Sequence, residues 1–315
     1  KFFQRILLLV RSFEMVYQTL PQVKQTSNIL KNKIFDVMIV NDIESLPVVC
    51  QLFPKSKIYF DAHEYAPGQF EDSFWWSLYF KPFKQYLCKK YILKSNIMST
   101  VCHGLAREYE KEFNKQCEIV MNASVYVDIQ PSQSDDKITI IHHGMANKNR
   151  SIHLMIEMMD YVDERFELDL MLVPSQKEYY EKLKAMAEER SNVRIIEPVS
   201  FEEIVPFINK YDIGLYILPP TGFNIKHALP NKFFEYIQAR LAIAISPSIE
   251  MMRLVKEYDL GVVAKDFSSQ SMAKELNKLT KEEVMRYKQN SHKAAKVLNA
   301  QENYKKIDKI IKELV

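Results

Sequence analysis

The sequence predicts an α/β protein made of two doubly wound domains. Three observations carry that expectation. The 315 residues, at roughly 100–200 per domain, leave room for two full cores. Four apolar runs in the first part end in polar residues, and a fresh alternation of strand-like and helix-like segments begins after a polar connector.

The elements follow in order. Ile6, Val10, Phe13, Val16, Tyr17 and Leu20 recur at helical spacing over 2–32, interrupted by Pro21, which predicts one or two helices. The run 35–41 is apolar and ends in Asn41 and Asp42, as a buried parallel strand ends at the ligand-facing edge of an α/β sheet. Runs at 57–64, 97–101 and 118–122 repeat that form, and the helices between them make βαβ units. From 128 to 137 the chain is polar, lacks periodicity and contains Pro131-Ser-Gln-Ser134, the composition of a connector. Strands are then expected at 138–142, 166–173, 193–196, 213–217 and 241–245. Helices are expected at 151–161, 177–189, 201–210 and 231–239, with a charged helical tail over 281–315. The domains are accordingly drawn as 1–130 and 131–300, with 301–315 a closing helix free to return to the first.

Composition excludes several classes. A 47% apolar and 26% charged chain with 18 Phe and 17 Tyr packs a core and is neither disordered nor fibrous. The six glycines form neither a Gly-x-Gly-x-x-Gly nor a Gly-x-x-x-x-Gly-Lys spacing, so dinucleotide and P-loop cradles are out. A net charge of +3 is too small for a nucleic-acid partner; 16 basic and 13 acidic residues precede residue 131, with 27 of each beyond it. Cys50, Cys88, Cys102 and Cys117 lack metal or redox spacing, the pattern of free thiols in a reducing cytoplasm. The apolar run 6–10 is too short to span a bilayer, and no small-residue cleavage site follows it. The first residue is Lys1 rather than Met, as in a trimmed or truncated chain.

Residues 229–246, with Leu229-Pro-Asn-Lys-Phe-Phe-Glu-Tyr236 at their head, resemble the P-x-K-x-x-E-Y block of the glycosyltransferase group 1 family. Three further segments match in order. Tyr59-Phe-Asp-Ala-His-Glu64 is similar to the strand end of that family's acceptor-side lobe. His143-Gly144 followed by Arg150 resembles the glycine loop and basic residue opening the donor-side lobe. Glu197-Pro-Val-Ser-Phe-Glu-Glu203 with Tyr211-Asp-Ile-Gly-Leu215 resembles the helix and strand before the donor site. The resemblance covers residue 35 onward. It implies the GT-B fold, two Rossmann-like domains facing each other across a cleft, acceptor-side first and donor-side second. It also implies retaining transfer of a sugar from a nucleotide-sugar donor to another sugar or a lipid-linked oligosaccharide, without a bound metal or cofactor. The Pro-Asn-Lys form points to the branch of bacterial capsular and exopolysaccharide synthesis. Members carry more strands before the one matching 35–41, so an incomplete first lobe is expected.

A departing nucleoside diphosphate needs positive charge and aligned N–H groups, which without a metal come from helix N-termini and Arg or Lys. Pro230 suits a first helical turn and frees the N–H groups behind it, with Lys232 close by. The family's matching glutamate binds ribose hydroxyls, which assigns Glu235 that part; the plain reading is a carboxylate answering the helix dipole. Arg150, expected at a helix start, suits a phosphate or else an ion pair with Glu157; Lys148 is the weaker substitute. Gly144 allows close approach of the donor or simply a tight turn. Eight residues before Glu235, where the family has a carboxylate for the donor sugar, stands His227; Asn224 or the Asn231 backbone would then serve the sugar hydroxyls. Arg240 and Ala242 replace the family's usual glycine and proline, departures that weigh against full activity.

On the acceptor side, His63 orients the acceptor hydroxyl or the transferred sugar, and Glu64 binds acceptor; otherwise His63 is a satisfied structural group. Asp61 closes its loop or caps a helix. The catalytic set is thus His63, Arg150 and Lys232. Residues 74–94 contain both tryptophans and five lysines with no acid, the composition of a segment lying on the cytoplasmic face of an anionic membrane or of an amphipathic helix with a solvated cationic side. Glu167 and Asp169 alternate along a strand, and His142 and His143 point to opposite faces, so neither pair makes a metal site. Two rivals stay open: an epimerase or hydrolase of the same architecture, and a non-catalytic nucleotide-sugar-binding or scaffold protein.

Overall fold

The computed structural model describes residues 2–133 and 136–315; Lys1 and the 134–135 part of the expected connector lie outside the described residues. In chain order the elements are α1 (Phe2–Leu9), α2 (Phe13–Gln18), α3 (Pro21–Leu30), β1 (Val37–Asn41), α4 (Leu46–Leu52), β2 (Lys57–Ala62), α5 (Phe74–Tyr91), β3 (Ile97–Thr100), α6 (His103–Phe113), β4 (Glu118–Ile119), β5 (Ile138–Ala146), α7 (His153–Met158), β6 (Phe166–Pro174), α8 (Lys177–Glu188), β7 (Val193–Ile196), α9 (Ile204–Ile208), β8 (Ile213–Tyr216), α10 (Phe223–Lys226), α11 (Asn231–Gln238), β9 (Ala242–Ile245), α12 (Ile249–Tyr258), β10 (Gly261–Val263), α13 (Ser269–Leu276), α14 (Lys281–Ala294) and α15 (Ala300–Leu314). They form two compact units. One comprises the residues up to Met121 with Thr221–His227 and Asn303–Val315; the other comprises Asn122–Pro220 and Ala228–Glu302.

In the first unit four parallel strands run in the order β1-β2-β3-β4. Central β2 is apolar on both faces, with Ile58, Tyr59, Phe60 and Ala62 buried, as a strand covered on both sides of a parallel sheet must be. Pro21 does not interrupt a helix. It opens α3 at the first turn, where its missing N–H costs nothing, so the 2–32 stretch is three short helices. In α5 the lower part faces inward through Phe83, Leu87, Cys88 and Tyr91, while Phe74, Trp75, Leu78 and Phe80 are exposed. Lys84 of the same helix is buried against Glu44. Ile310 and Leu314 of α15 close on Tyr59 and Val120, which is why the last thirteen residues count with this unit. Among the described residues no helix is long and apolar enough to cross a membrane.

The second unit holds six parallel strands in the order β10-β9-β8-β5-β6-β7. The sequence shows five of them. The sixth, β10, is three residues long and starts at Gly261, where a Cβ would stand 1.9 Å from the Ile243 carbonyl oxygen; close backbone approach, not side-chain periodicity, defines it. The tail over 281–315 is two helices, α14 opening on a Thr280–Glu283 capping box. Residues 122–130, drawn above with the first domain, belong here. Ser124 O accepts from Ala300 N–H at 2.9 Å, and Val127 N–H donates to Gln238 Oε1 at 3.2 Å.

Arg240 explains much of that placement. Its φ of 62° is the conformation for which glycine is the ordinary choice, and a larger residue there costs about 1 kcal/mol. The side chain offsets the strain. Buried, it donates to the carbonyls of Val127 (2.5 Å), Gln238 (2.7 Å) and Ile129 (3.2 Å), riveting the entering segment to the end of α11. Arg240→Ala leaves those carbonyls without donors and is expected to destabilise the protein by roughly 3 kcal/mol in urea unfolding. Arg240→Gly should recover no more than about 1 kcal/mol of that loss by relieving φ; a wild-type midpoint for either variant would remove the rivet from the account.

Candidate functional site

The winding of the second sheet fixes where a ligand belongs. The chain runs β5, β6, β7 in one direction and then returns to place β8 on the other side of β5. Adjacent crossovers therefore leave in opposite directions above the carboxyl ends of β5 and β8, where open α/β sheets collect ligands. The end of β5 brings His142, His143 and Gly144, the end of β8 brings Tyr216, and α11 starts nearby with Asn231 and Lys232 after Pro230 at the cap position. The first N–H groups of α11 precede any carbonyl they could reach within the helix.

Lys232 is the centre of this group. Gly144 has a φ of +136°, which favours glycine, and the missing Cβ leaves the space that Lys232 Nζ takes up, 2.9 Å from where a Cβ would stand. The same Nζ lies 4.5 Å from the centre of the Tyr216 ring, a cation–π contact. Arg150 Nη1 donates to the Tyr216 hydroxyl at 3.0 Å. Burial, and then the Arg150 charge, push the Lys232 ammonium down to about 7, with Glu235 opposing the shift. Arg150 does not open a helix as the sequence suggests. It ends the 3-10 turn Lys148–Arg150, and α7 begins only at His153 after Ser151 in a left-handed conformation. Lys148 is exposed beside it.

Glu235, one turn into α11, is buried, and burial raises its carboxyl pKa while Lys232 partly restrains it. Its Oε2 lies 3.3 Å from His143 Nε2. Burial and the Lys232 charge hold His143 down to about 3, so the imidazole is neutral at physiological pH. His142 is fully buried, donates Nδ1–H to Leu215 O at 2.9 Å and stacks on Tyr216 at 5.6 Å. The sequence marks His143 only as part of the His143-Gly144 segment and gives neither histidine a role beyond an excluded metal pair; the position at the strand end beside Gly144 is the signal for one. Among the described residues no three His, Cys, Asp or Glu side chains gather as a metal-binding group.

The remaining residues of interest group with the first unit. His63, with 46% of its side chain exposed, lies just past β2, its Nε2 2.9 Å from Asp61 Oδ2. Glu64 is exposed and accepts from Gln69 Nε2 at 3.0 Å. Asn224 is grouped with the first unit, where its Oδ1 accepts from Tyr65 N–H at 2.8 Å and its Nδ2 donates to Tyr65 O at 3.1 Å. His227 packs its ring on Phe223 at 4.7 Å and into the space that Gly104 leaves, where a Cβ would come within 2.0 Å of His227 Nδ1. The structure therefore brings together Gly144, Arg150, Asn231, Lys232 and Glu235 in one unit, and His63, Glu64, Asn224 and His227 in the other.

No family model matches the sequence, and no curated protein matches it. Solved structures do. The Anabaena protein HepE, solved in complex with UDP, aligns with a TM-score of 0.73 at 10% identity over 94% of this chain and 83% of its own. The pneumococcal O-GlcNAc transferase GtfA, solved with UDP and GlcNAc, gives 0.71 at 12% identity over 93% of this chain and 59% of its own. S. aureus TarM, solved with UDP, gives 0.69 at 12% identity over 90% and 57%. The chain thus spans less than two thirds of the length of GtfA and TarM. At these identities the likeness shows the fold, and the fold is GT-B.

The depressed Lys232 ammonium makes a stability prediction. Between about 7 and its ordinary 10.5 the unfolded chain binds a proton that the folded chain does not, so this group makes stability rise with pH across that window; below about 7 its full cost is present. Lys232→Met is expected to melt higher than the wild type at pH 6–7, with the advantage shrinking toward pH 10. Parallel melting curves across that range would show that the ammonium carries no such cost.

Proposed function

We propose that this chain is a glycosyltransferase that takes a sugar from a UDP-linked donor. The single observation carrying the reading is the Lys232 ammonium held against Gly144 at the switch point of the second sheet, with the Arg150 guanidinium on the same tyrosine. Two cations brought together at partial burial repel each other until an anion of matching charge joins them, and a diphosphate supplies it. UDP in the HepE, GtfA and TarM structures supports that nucleotide over others. Lys232, Arg150 and the first N–H groups of α11, that of Asn231 included, hold the phosphates, and Gly144 lets them approach the strand. Glu235 accepts hydrogen bonds from the ribose hydroxyls, with His143 beside it.

In the reaction the bond from the sugar's anomeric carbon to the diphosphate oxygen breaks and a bond to the acceptor oxygen forms on the same face, retaining configuration. The acceptor proton passes to the leaving phosphate oxygen, so no side chain need act as base. His63 and Glu64 meet the hydroxyls of the acceptor or the transferred sugar, while Asn224 and His227 secure their own segment. The acceptor class is a lipid-linked or free oligosaccharide of a bacterial surface polysaccharide. The exposed Phe74, Trp75, Leu78 and Phe80 of α5, on the element that also carries Lys89 and Lys90, suit a cytoplasmic membrane surface where such lipids reside.

Calorimetry with UDP, GDP and CMP tests the donor site. UDP is expected to bind and GDP and CMP to bind at least tenfold more weakly. Lys232→Ala and Arg150→Ala should each weaken UDP by about 10- to 100-fold, the loss of one charge-assisted phosphate contact. With UDP-glucose and UDP-GlcNAc as donors, both variants should also lose kcat. Binding of UDP that ignores both substitutions would overturn the reading.

A further inference from the structure

Asp61, for which the sequence suggests a loop-closing or capping part, is the hub of a hydrogen-bonded chain in the first unit. Strand register lines up Asn41, Asp61 and Ser99 at the carboxyl ends of β1, β2 and β3. Side chains alternate along a strand, so Tyr59 and Asp61 project from one face, and His63 follows two residues on. The Tyr59 hydroxyl lies 2.7 Å from Ser99 Oγ, Ser99 Oγ donates to Asp61 Oδ1, and Asp61 Oδ2 lies 2.9 Å from His63 Nε2.

The direction of each bond follows from chemistry. An ionised carboxylate only accepts, so Ser99 spends its proton on Oδ1 and His63 spends its Nε2–H on Oδ2. Ser99 must then accept from Tyr59, whose hydroxyl burial pushes up to about 12, keeping it a protonated donor. Neutral His63 is thereby fixed as the Nε2–H tautomer, with Nδ1 carrying the free lone pair. The other charged groups facing the ring, Asp42 and Glu64, favour its protonated form as Asp61 does, and together they raise its pKa against the opposing effect of partial burial.

We infer that Asp61, braced by Ser99 and Tyr59, is a positioning residue that, where the His63 ring is neutral, presents its Nδ1 as the acceptor of a hydrogen bond from a sugar hydroxyl. The role of His63 toward sugar rests on the transferase reading above; the clamp itself rests on the geometry alone. The arrangement uses the logic by which a buried carboxylate fixes the tautomer of a working histidine elsewhere. No proton is transferred along the chain: the hydroxyl is held, and its proton leaves with the phosphate as already described.

Imidazole nitrogen NMR of the free protein across pH 5–9 tests the clamp. The wild type is expected to show His63 as a single Nε2–H tautomer titrating above the ordinary histidine value, and Asp61→Asn to lower that midpoint by about one unit and mix the tautomers. Mixed tautomers in the wild type, or an unchanged midpoint in the variant, overturn the inference. The wild-type spectrum needs no variant, so a poorly folding Asp61→Asn leaves the test intact. Turnover then separates the two claims. Asp61→Asn is expected to lower kcat for UDP release from UDP-glucose or UDP-GlcNAc at least tenfold while the Kd for UDP stays within twofold, because UDP is assigned to the second unit. A wild type that binds no UDP refutes the transferase reading and leaves the clamp to the spectrum; a variant with wild-type kcat refutes the positioning role.

Discussion

Two cations that lean on one phenol set the character of the second unit. Tyr216 carries the Arg150 guanidinium on its hydroxyl and the Lys232 ammonium on its ring, and a stacked, neutral His142 lies on it as well. This arrangement costs free energy in the protein alone, since burial and mutual repulsion take the ammonium down to about 7. Ligand sites store unfavourable electrostatics of this kind because the ligand relieves them. Every other feature of the site serves that one: the glycine that admits the ammonium to the strand end, the proline that starts α11 where Lys232 can reach it, and the reversal of strand order that leaves room above the sheet.

The first unit is organised differently. Its sheet ends gather a carboxylate and the hydroxyls that orient it, and the pKa of the imidazole there, His63, is raised by its acidic neighbours instead of lowered. One unit thus presents cations under strain, suited to an anion, and the other presents an oriented imidazole with acidic neighbours, suited to hydroxyls.

The fold was legible in the sequence to the extent that apolar runs declare parallel strands. The long strands, such as 138–142 within β5 and 166–173 within β6, stand out because both faces are buried. Gly261–Val263 was not legible, since a three-residue strand has no period and its cause is a neighbouring carbonyl. The helix at Pro21 was misread for a related reason: one proline both breaks and begins helices, and only the preceding turn decides. At the site, Lys232, Glu235 and Gly144 were found through their motif. Tyr216, which joins the two cations, and Asp61, which fixes His63, were not, because their parts depend on partners 66 and 38 residues away. Arg240 carried a signal that was read as a defect. A residue in a glycine position usually is one, and here its guanidinium turns the strained backbone into an anchor.

Proton uptake on binding measures the central claim most directly. Calorimetry of UDP binding at pH 8 in buffers of different ionisation enthalpy reports how many protons the complex takes from solution. If a diphosphate rescues the depressed ammonium, the wild type takes up about one proton per UDP and Lys232→Met takes up none. Uptake near zero in the wild type, or equal uptake in both proteins, would contradict the account.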